Sequence, residues 1–144
     1  MRDVLRFQNV GDDLVRFFDG NINKAKNGDQ DARDYAHDNG ILDAVFEVTW
    51  PTSITILIRN QILEGERRHD IRVVSNNNNR ILEIKNYTST KVYLTFDVER
   101  EARMDIDLKD ANQSLEIQWV FLGMPPSQPL RALLEAGGIE VVIP

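Results

Sequence analysis

Oxygen-bearing side chains alternate at Asp19, Asn21 and Asn23 in the stretch DGNINKAKNGDQD, the spacing with which a calcium loop begins. An EF-hand loop also needs glycine at its sixth position and a bidentate glutamate at its twelfth. Lys24 and Gln30 occupy those places. A lysine brings positive charge towards the ion and a glutamine brings none of the required negative charge. The stretch, with Asp29 and Asp31, is therefore expected to be a solvated loop and helix start without a specific cation site.

Other chemistry-bearing groups read in the same way. Asp34, His37 and Asp38 stand three and four apart, so a helix would gather them on one face. Three polar residues on a short helix are ordinary, and no metal is assigned to them. His69 lies between Arg68 and Asp70 in the charged stretch EGERRHD, which reads as a solvated turn. Asp105 and Asp107 would share a strand face, near Asp97 and Glu99 on the preceding strand. Paired carboxylates can do acid–base work when their environments differ. With Arg103, Lys91 and Lys85 at hand, an exposed face of mixed charge is the expected reading. The sequence has no nucleophile with a recognisable base, no glycine-rich dinucleotide fingerprint and no phosphate-binding loop. No catalytic, cofactor or metal residues are assigned, and no enzyme activity is expected.

The totals narrow the classes further. The chain has 144 residues, the size of one domain, with no cysteine and a formal net charge of −6. Thiol catalysis, disulfides and thiolate metal sites are excluded. The acidic balance disfavours a nucleic-acid backbone as partner, although a local basic patch overrides a total. Arg59, Arg67, Arg68, Arg72 and Arg80 gather basic charge mid-chain, but the expected strands scatter them over turns and both faces. A complementary acidic surface on a second copy suits them better. No apolar run approaches the roughly 20 residues of a membrane helix. The opening MRDVLRFQNVGDD is broken early by acids and is not a secretory signal. An intracellular or virion-associated setting is expected.

The elements that would position these groups are mostly strands. Residues 1–43 read as a polar, mixed arm with short helices, one of them in DARDYAHDNG, stopped near Asn39-Gly40. Residues 44–122 read as a β core. Phe46, Val48 and Trp50 share a face before Pro51, and Ile54, Ile56 and Ile58 share another. DIRVVS and RILEIKN form a hairpin around Asn76 to Asn79. In KVYLTFDVEREARMDIDL, Val92, Leu94, Phe96 and Val98 alternate with polar residues, and Met104, Ile106 and Leu108 do so again. That pattern predicts two strands joined at Arg100-Glu101. Leu115, Ile117, Trp119 and Phe121 give a further inward face. Residues 123–144 read as a bend, a short helix opened by Pro129 and stopped by Gly137-Gly138, and a terminal strand.

Seven or eight strands with short turns predict a single-domain antiparallel β-sandwich carrying one to three short helices, with a β-barrel as the alternative. A parallel fold is disfavoured because residues 53–121 leave no room for crossover helices. Phe96 and Trp119 are expected in the core, and Trp50 also falls on an apolar face. Phe7, Phe17, Phe18, Tyr87 and Tyr93 are the aromatic residues available for an interface. The expected role is a non-enzymatic structural module that associates with copies of itself or with a larger particle such as a capsid or tail. A carbohydrate- or ligand-binding module on the same scaffold is the alternative.

Overall fold

The computed structural model describes residues 30–75 and 78–144. Phe7, Phe17, Phe18 and most of the loop at 19–31 lie outside the described residues. A helix over residues 30–38 (α1) ends at Gly40, whose φ of 66° is the left-handed geometry that closes a helix. Gln30 and Asp31 lie in this helix, as the expected helix start.

Strands β1 (Ala44–Thr49), β2 (Ile54–Ile58), β3 (Gln61–Gly65), β4 (Arg68–Ser75) and β5 (Asn78–Lys85) follow. Ile58 pairs with Gln61, so Arg59 and Asn60 alone connect β2 to β3. Both have positive φ, 47° and 65°, as a two-residue hairpin turn of this handedness requires. The segment before Arg67 is thus the second arm of a hairpin. Ser75 pairs with Asn78, as expected of the asparagine-rich connection.

The stretch expected to be two strands is helix α2 (Phe96–Ala111). Thr95 caps it, its Oγ1 accepting from the Val98 N–H at 3.3 Å, and Asp97 and Glu99 sit favourably in the first turn. The chain then forms β6 (Glu116–Phe121), α3 (Gln128–Ala136), with proline in its first turn, and β7 (Glu140–Val142). Gly137 ends α3 against Ile106, where a Cβ would lie 2.2 Å from Ile106 Cγ1.

Helix α2 changes the fold class. The strands form a mixed five-stranded sheet in the order β1-β4-β5-β6-β7, with β2-β3 as a separate two-stranded sheet. β5–β6 and β6–β7 are parallel, and α2 is the crossover that the first of these pairs demands. The described residues hold seven strands, but two of the expected ones are replaced by α2, and β3 is a strand not expected from the sequence. The antiparallel sandwich is replaced by a mixed α/β arrangement, and the described residues form no closed barrel.

Both sheet faces are covered. Ala32 and Ala36 of α1 pack on Ile71, Leu82, Ile84 and Val120. On the other face Ile81, Ile117, Trp119 and Phe121 join Val98, Ala102, Met104 and Leu108 of α2 and Ile54, Ile56 and Ile58 of the hairpin in one core. Trp119 is fully buried, as expected. Phe96 and Trp50 pack only partly buried against that core, Phe96 from the first turn of α2 rather than from a central strand. No helix among the described residues is long and apolar enough to cross a membrane.

Candidate functional site: a buried cluster of ion pairs

The face of β5 that carries Ile81 also carries Glu83 and Lys85. Its parallel register with β6 places Glu83 beside Trp119 and Lys85 beside Phe121. Helix α2 crosses this face and contributes Glu101 and, one turn on, Asp105. Arg67 and His69 enter from the start of β4. The result is a group of ionised side chains held between a helix and a sheet near the carboxyl end of β5, where parallel strands commonly present ligand sites.

Asp105 is its anchor and is 0% exposed. Arg67 grips it with two bonds, Nε to Oδ1 at 3.0 Å and Nη2 to Oδ2 at 3.2 Å. His69 Nε2 lies 2.7 Å from Oδ1, and Trp119 Nε1 donates to Oδ2 at 2.8 Å. Burial opposes ionisation of Asp105, but Arg67 and His69 outweigh it and hold its carboxyl well below the usual range. An ionised carboxylate only accepts, so His69 donates its Nε2 proton. Burial, with Arg67 nearby, pushes the His69 pKa down although Asp105 pulls it up.

The other half of the cluster centres on Glu83. Arg67 Nη2 lies 3.4 Å from Glu83 Oε2 and 3.7 Å from Glu101 Oε2. Lys85 Nζ lies 2.9 Å from Glu101 Oε2 and 3.2 Å from Glu83 Oε2, with its charge 5.2 Å above the centre of the Trp119 ring. Asp70 accepts from the Ile84 N–H at 2.8 Å and lies beside Glu83. Burial first, then the adjacent Asp70, pushes the Glu83 pKa well above the usual range. Burial also raises Asp70. Glu101 goes the other way: Lys85 and Arg67 overcome its burial and keep it ionised. Glu101 and Glu83 pull Lys85 upward against burial, so it stays charged. Glu83 and Asp70 are thus the two acids of the cluster in which burial favours the protonated form.

Such an arrangement can exchange a proton for a cation. Among the described residues no three His, Asp or Glu side chains are arranged to hold a metal by themselves. Magnesium, however, takes one or two carboxylates, keeps several waters and completes its shell with phosphate oxygens. The adjacent pair Asp70 and Glu83 fits that requirement.

Few of the residues singled out in the sequence meet here. Asp105 does, but buried rather than on a wet face, because its strand is a helix. His69 and Arg67 do, also buried rather than in a solvated turn. Asp107 is exposed, and Glu99 is buried between Arg59 and Arg103 at 3.1 and 2.8 Å. Asp34, His37 and Asp38 stay on the exposed side of α1, with His37 Nδ1 3.4 Å from Asp38 and Asp34 accepting from Gln30. Tyr87 and Tyr93 are exposed, as expected. Arg59, Arg68, Arg72 and Arg80 do not converge: Arg72 lies over the Trp50 ring and Arg80 pairs with Glu116. In the sequence neither Glu83 nor Glu101 is marked out, and Asp70 and Lys85 enter only as a neighbour and a counter-charge. The available signal was Glu83-Ile84-Lys85, two opposite charges on one face of a strand flanked by apolar strands.

No known family profile and no curated protein matches the chain. Among solved structures it is similar to one described as "Crystal structure of SSO0001", at 15% identity and a TM-score of 0.38, over 80% of this chain and 58% of that one. The chain thus spans under two thirds of that protein's length.

Proposed function

We propose that this chain hydrolyses phosphodiesters with a divalent metal ion held by Asp70 and Glu83, and that its substrate is a nucleic-acid strand. The observation that carries this reading is the meeting of Asp70, Glu83 and Lys85 at one point beside Glu101. Two carboxyls buried side by side repel one another when both are ionised, and a divalent cation relieves that repulsion. When bound, the ion would lower the pKa of a water and neutralise phosphoryl oxygens. Lys85, kept cationic by its neighbours, suits a role in holding the phosphate and stabilising the charge that develops on it. Glu101 keeps the lysine amine in place. The net charge of −6 means that strand binding would depend on local cations such as Lys85.

The test is cleavage of labelled single- and double-stranded oligonucleotides with Mg²⁺ or Mn²⁺, with metal uptake followed by calorimetry. Asp70→Asn and Glu83→Gln should each abolish cleavage while the chain stays folded. A wild type that neither cleaves nor takes up Mn²⁺ refutes the reading.

A second reading keeps the association role expected from the sequence, with copies of the chain or within a larger particle. It is favoured by Leu57 and Ile62, directly paired across the β2–β3 hairpin and 64% and 74% exposed. An apolar pair left in water on a projecting hairpin suits a protein contact. Sedimentation should show a smaller species for Leu57→Ser/Ile62→Ser than for wild type. A wild type that is monomeric at high concentration rules out self-association.

A further inference from the structure

We infer that Arg67, fixed by Asp105, is a positioning residue that aims the Glu83 carboxyl at the metal. This inference rests on the phosphodiesterase reading. The guanidinium is buried and its donors are committed in a set pattern. Nε and Nη2 go to the two oxygens of Asp105 at 3.0 and 3.2 Å, and Nη1 turns back to the Arg68 carbonyl. The same Nη2 also faces Glu83 Oε2 at 3.4 Å and Glu101 Oε2 at 3.7 Å. A planar fork held at one end in this way has no freedom to turn, so the position of Asp105 fixes the position of the charge beside Glu83.

Asp105 is itself fixed from three sides. Its backbone belongs to α2, while its donors come from Arg67 ahead of β4, His69 on β4 and Trp119 on β6. The helix and the sheet are thereby tied through one carboxylate, and Glu83 receives its orientation through Arg67. A clamp needed only for stability has no reason to be ionic, since a buried ion pair replaced by packed apolar groups often costs nothing. Ionic partners behind metal-binding carboxylates do have such a reason, because they orient the ligand.

The experiment uses the full chain and Mn²⁺ alone as probe, with melting temperature and near-ultraviolet circular dichroism as controls for folding. In Arg67→Met, Asp105 keeps His69 and Trp119 as donors, so the fold has support. Mn²⁺ affinity should fall roughly 10–100-fold, the usual effect of removing a group that orients a metal ligand. On an oligonucleotide substrate kcat should fall with KM little changed. Arg67→Lys keeps the charge and loses the fork, so it should not restore the affinity, and it decides the matter if the Met variant does not fold. Wild-type affinity and kcat in a folded Lys or Met variant overturn the positioning role and leave the metal reading intact. A wild type that takes up no Mn²⁺ and cleaves no strand overturns both.

Discussion

The Lys85 ammonium lies 2.9 Å from the Glu101 carboxylate, with both side chains largely buried between β5 and α2. Each charge is offset mainly by the other. Lys85→Met leaves Glu101 with Arg67, at 3.7 Å, and Glu101→Gln leaves Lys85 with Glu83, at 3.2 Å, so each should cost up to about 3–5 kcal/mol in urea unfolding. Lys85→Met/Glu101→Gln removes both charges and should cost much less than the sum of the singles. Additive costs would show that the two groups are not coupled.

Glu83 makes stability depend on pH above the ordinary carboxylate range. Its folded pKa is raised by burial and by Asp70, so the folded state holds a proton that the unfolded chain has lost. The contribution is fully present below the unfolded value of 4.5 and is lost as pH rises through the folded one. Urea midpoints should therefore decline with rising pH in the metal-free protein. Glu83→Gln, a permanent stand-in for the protonated acid, should flatten that decline. A steeper slope in the Gln variant would exclude Glu83 as a proton carrier.

His69 acts at the other end of the scale. Burial depresses its folded pKa below 6.5, so below that pH the unfolded chain binds the proton first. Stability should fall as pH drops from about 7 towards 5, the window set by the unfolded value near 6.5. His69→Gln should remove the slope in that window, because Gln still donates to Asp105 without titrating. Midpoints that rise on acidification would mean that His69 is protonated in the folded state.

Most strands were legible because they alternate in the ordinary way. Ile54, Ile56 and Ile58 face the core, and Ile117, Trp119 and Phe121 do so with Val120 turned to the opposite layer. The stretch over 96–111 misled because its buried helical face includes Glu99, Arg100 and Asp105. Val98, Ala102, Asp105 and Leu108 follow the period of a helix, but a carboxylate stands at one of the core positions. Without it the apolar residues that remain, Met104, Ile106 and Leu108, mimic a strand. The same cause hid the candidate site. Glu83 and Lys85 looked like a wet face opposite Leu82 and Ile84, whereas β5 is an interior strand covered on both faces. Charges placed where apolar groups should be break a local pattern, and here they break it at the candidate site.

Trp119 tests the core and the cluster separately. Trp119→Ala should cost roughly 3–5 kcal/mol through lost packing and a cavity. Trp119→Phe keeps much of the volume and removes the indole N–H from Asp105 at 2.8 Å. Its cost should be smaller, about 1–3 kcal/mol, the penalty of an acceptor left short of a buried donor. Equal costs for Ala and Phe would put the hydrogen bond, rather than the packing, in charge of the site.

The helix over Phe96–Ala111 can be tested where nothing but backbone conformation matters. Asp107 is exposed in the middle of α2, so substitutions there report local preference with little change in packing. In a helix alanine is the best residue, β-branched valine is worse by several tenths of a kcal/mol, and glycine is worse by about 1 kcal/mol. In a strand the ranking of the first two reverses, because branching at Cβ suits a pleated surface. We therefore expect urea stability to follow Ala, then Val, then Gly at position 107, with Ala above Gly by about 1 kcal/mol. Far-ultraviolet circular dichroism should lose helical signal in the reverse order on heating, Gly first and Ala last. Valine above alanine would return this stretch to the two-stranded reading. The crossover between parallel β5 and β6 would then have no helix to make it, and Asp105 and Glu101 would lose the element that carries them to Arg67 and Lys85.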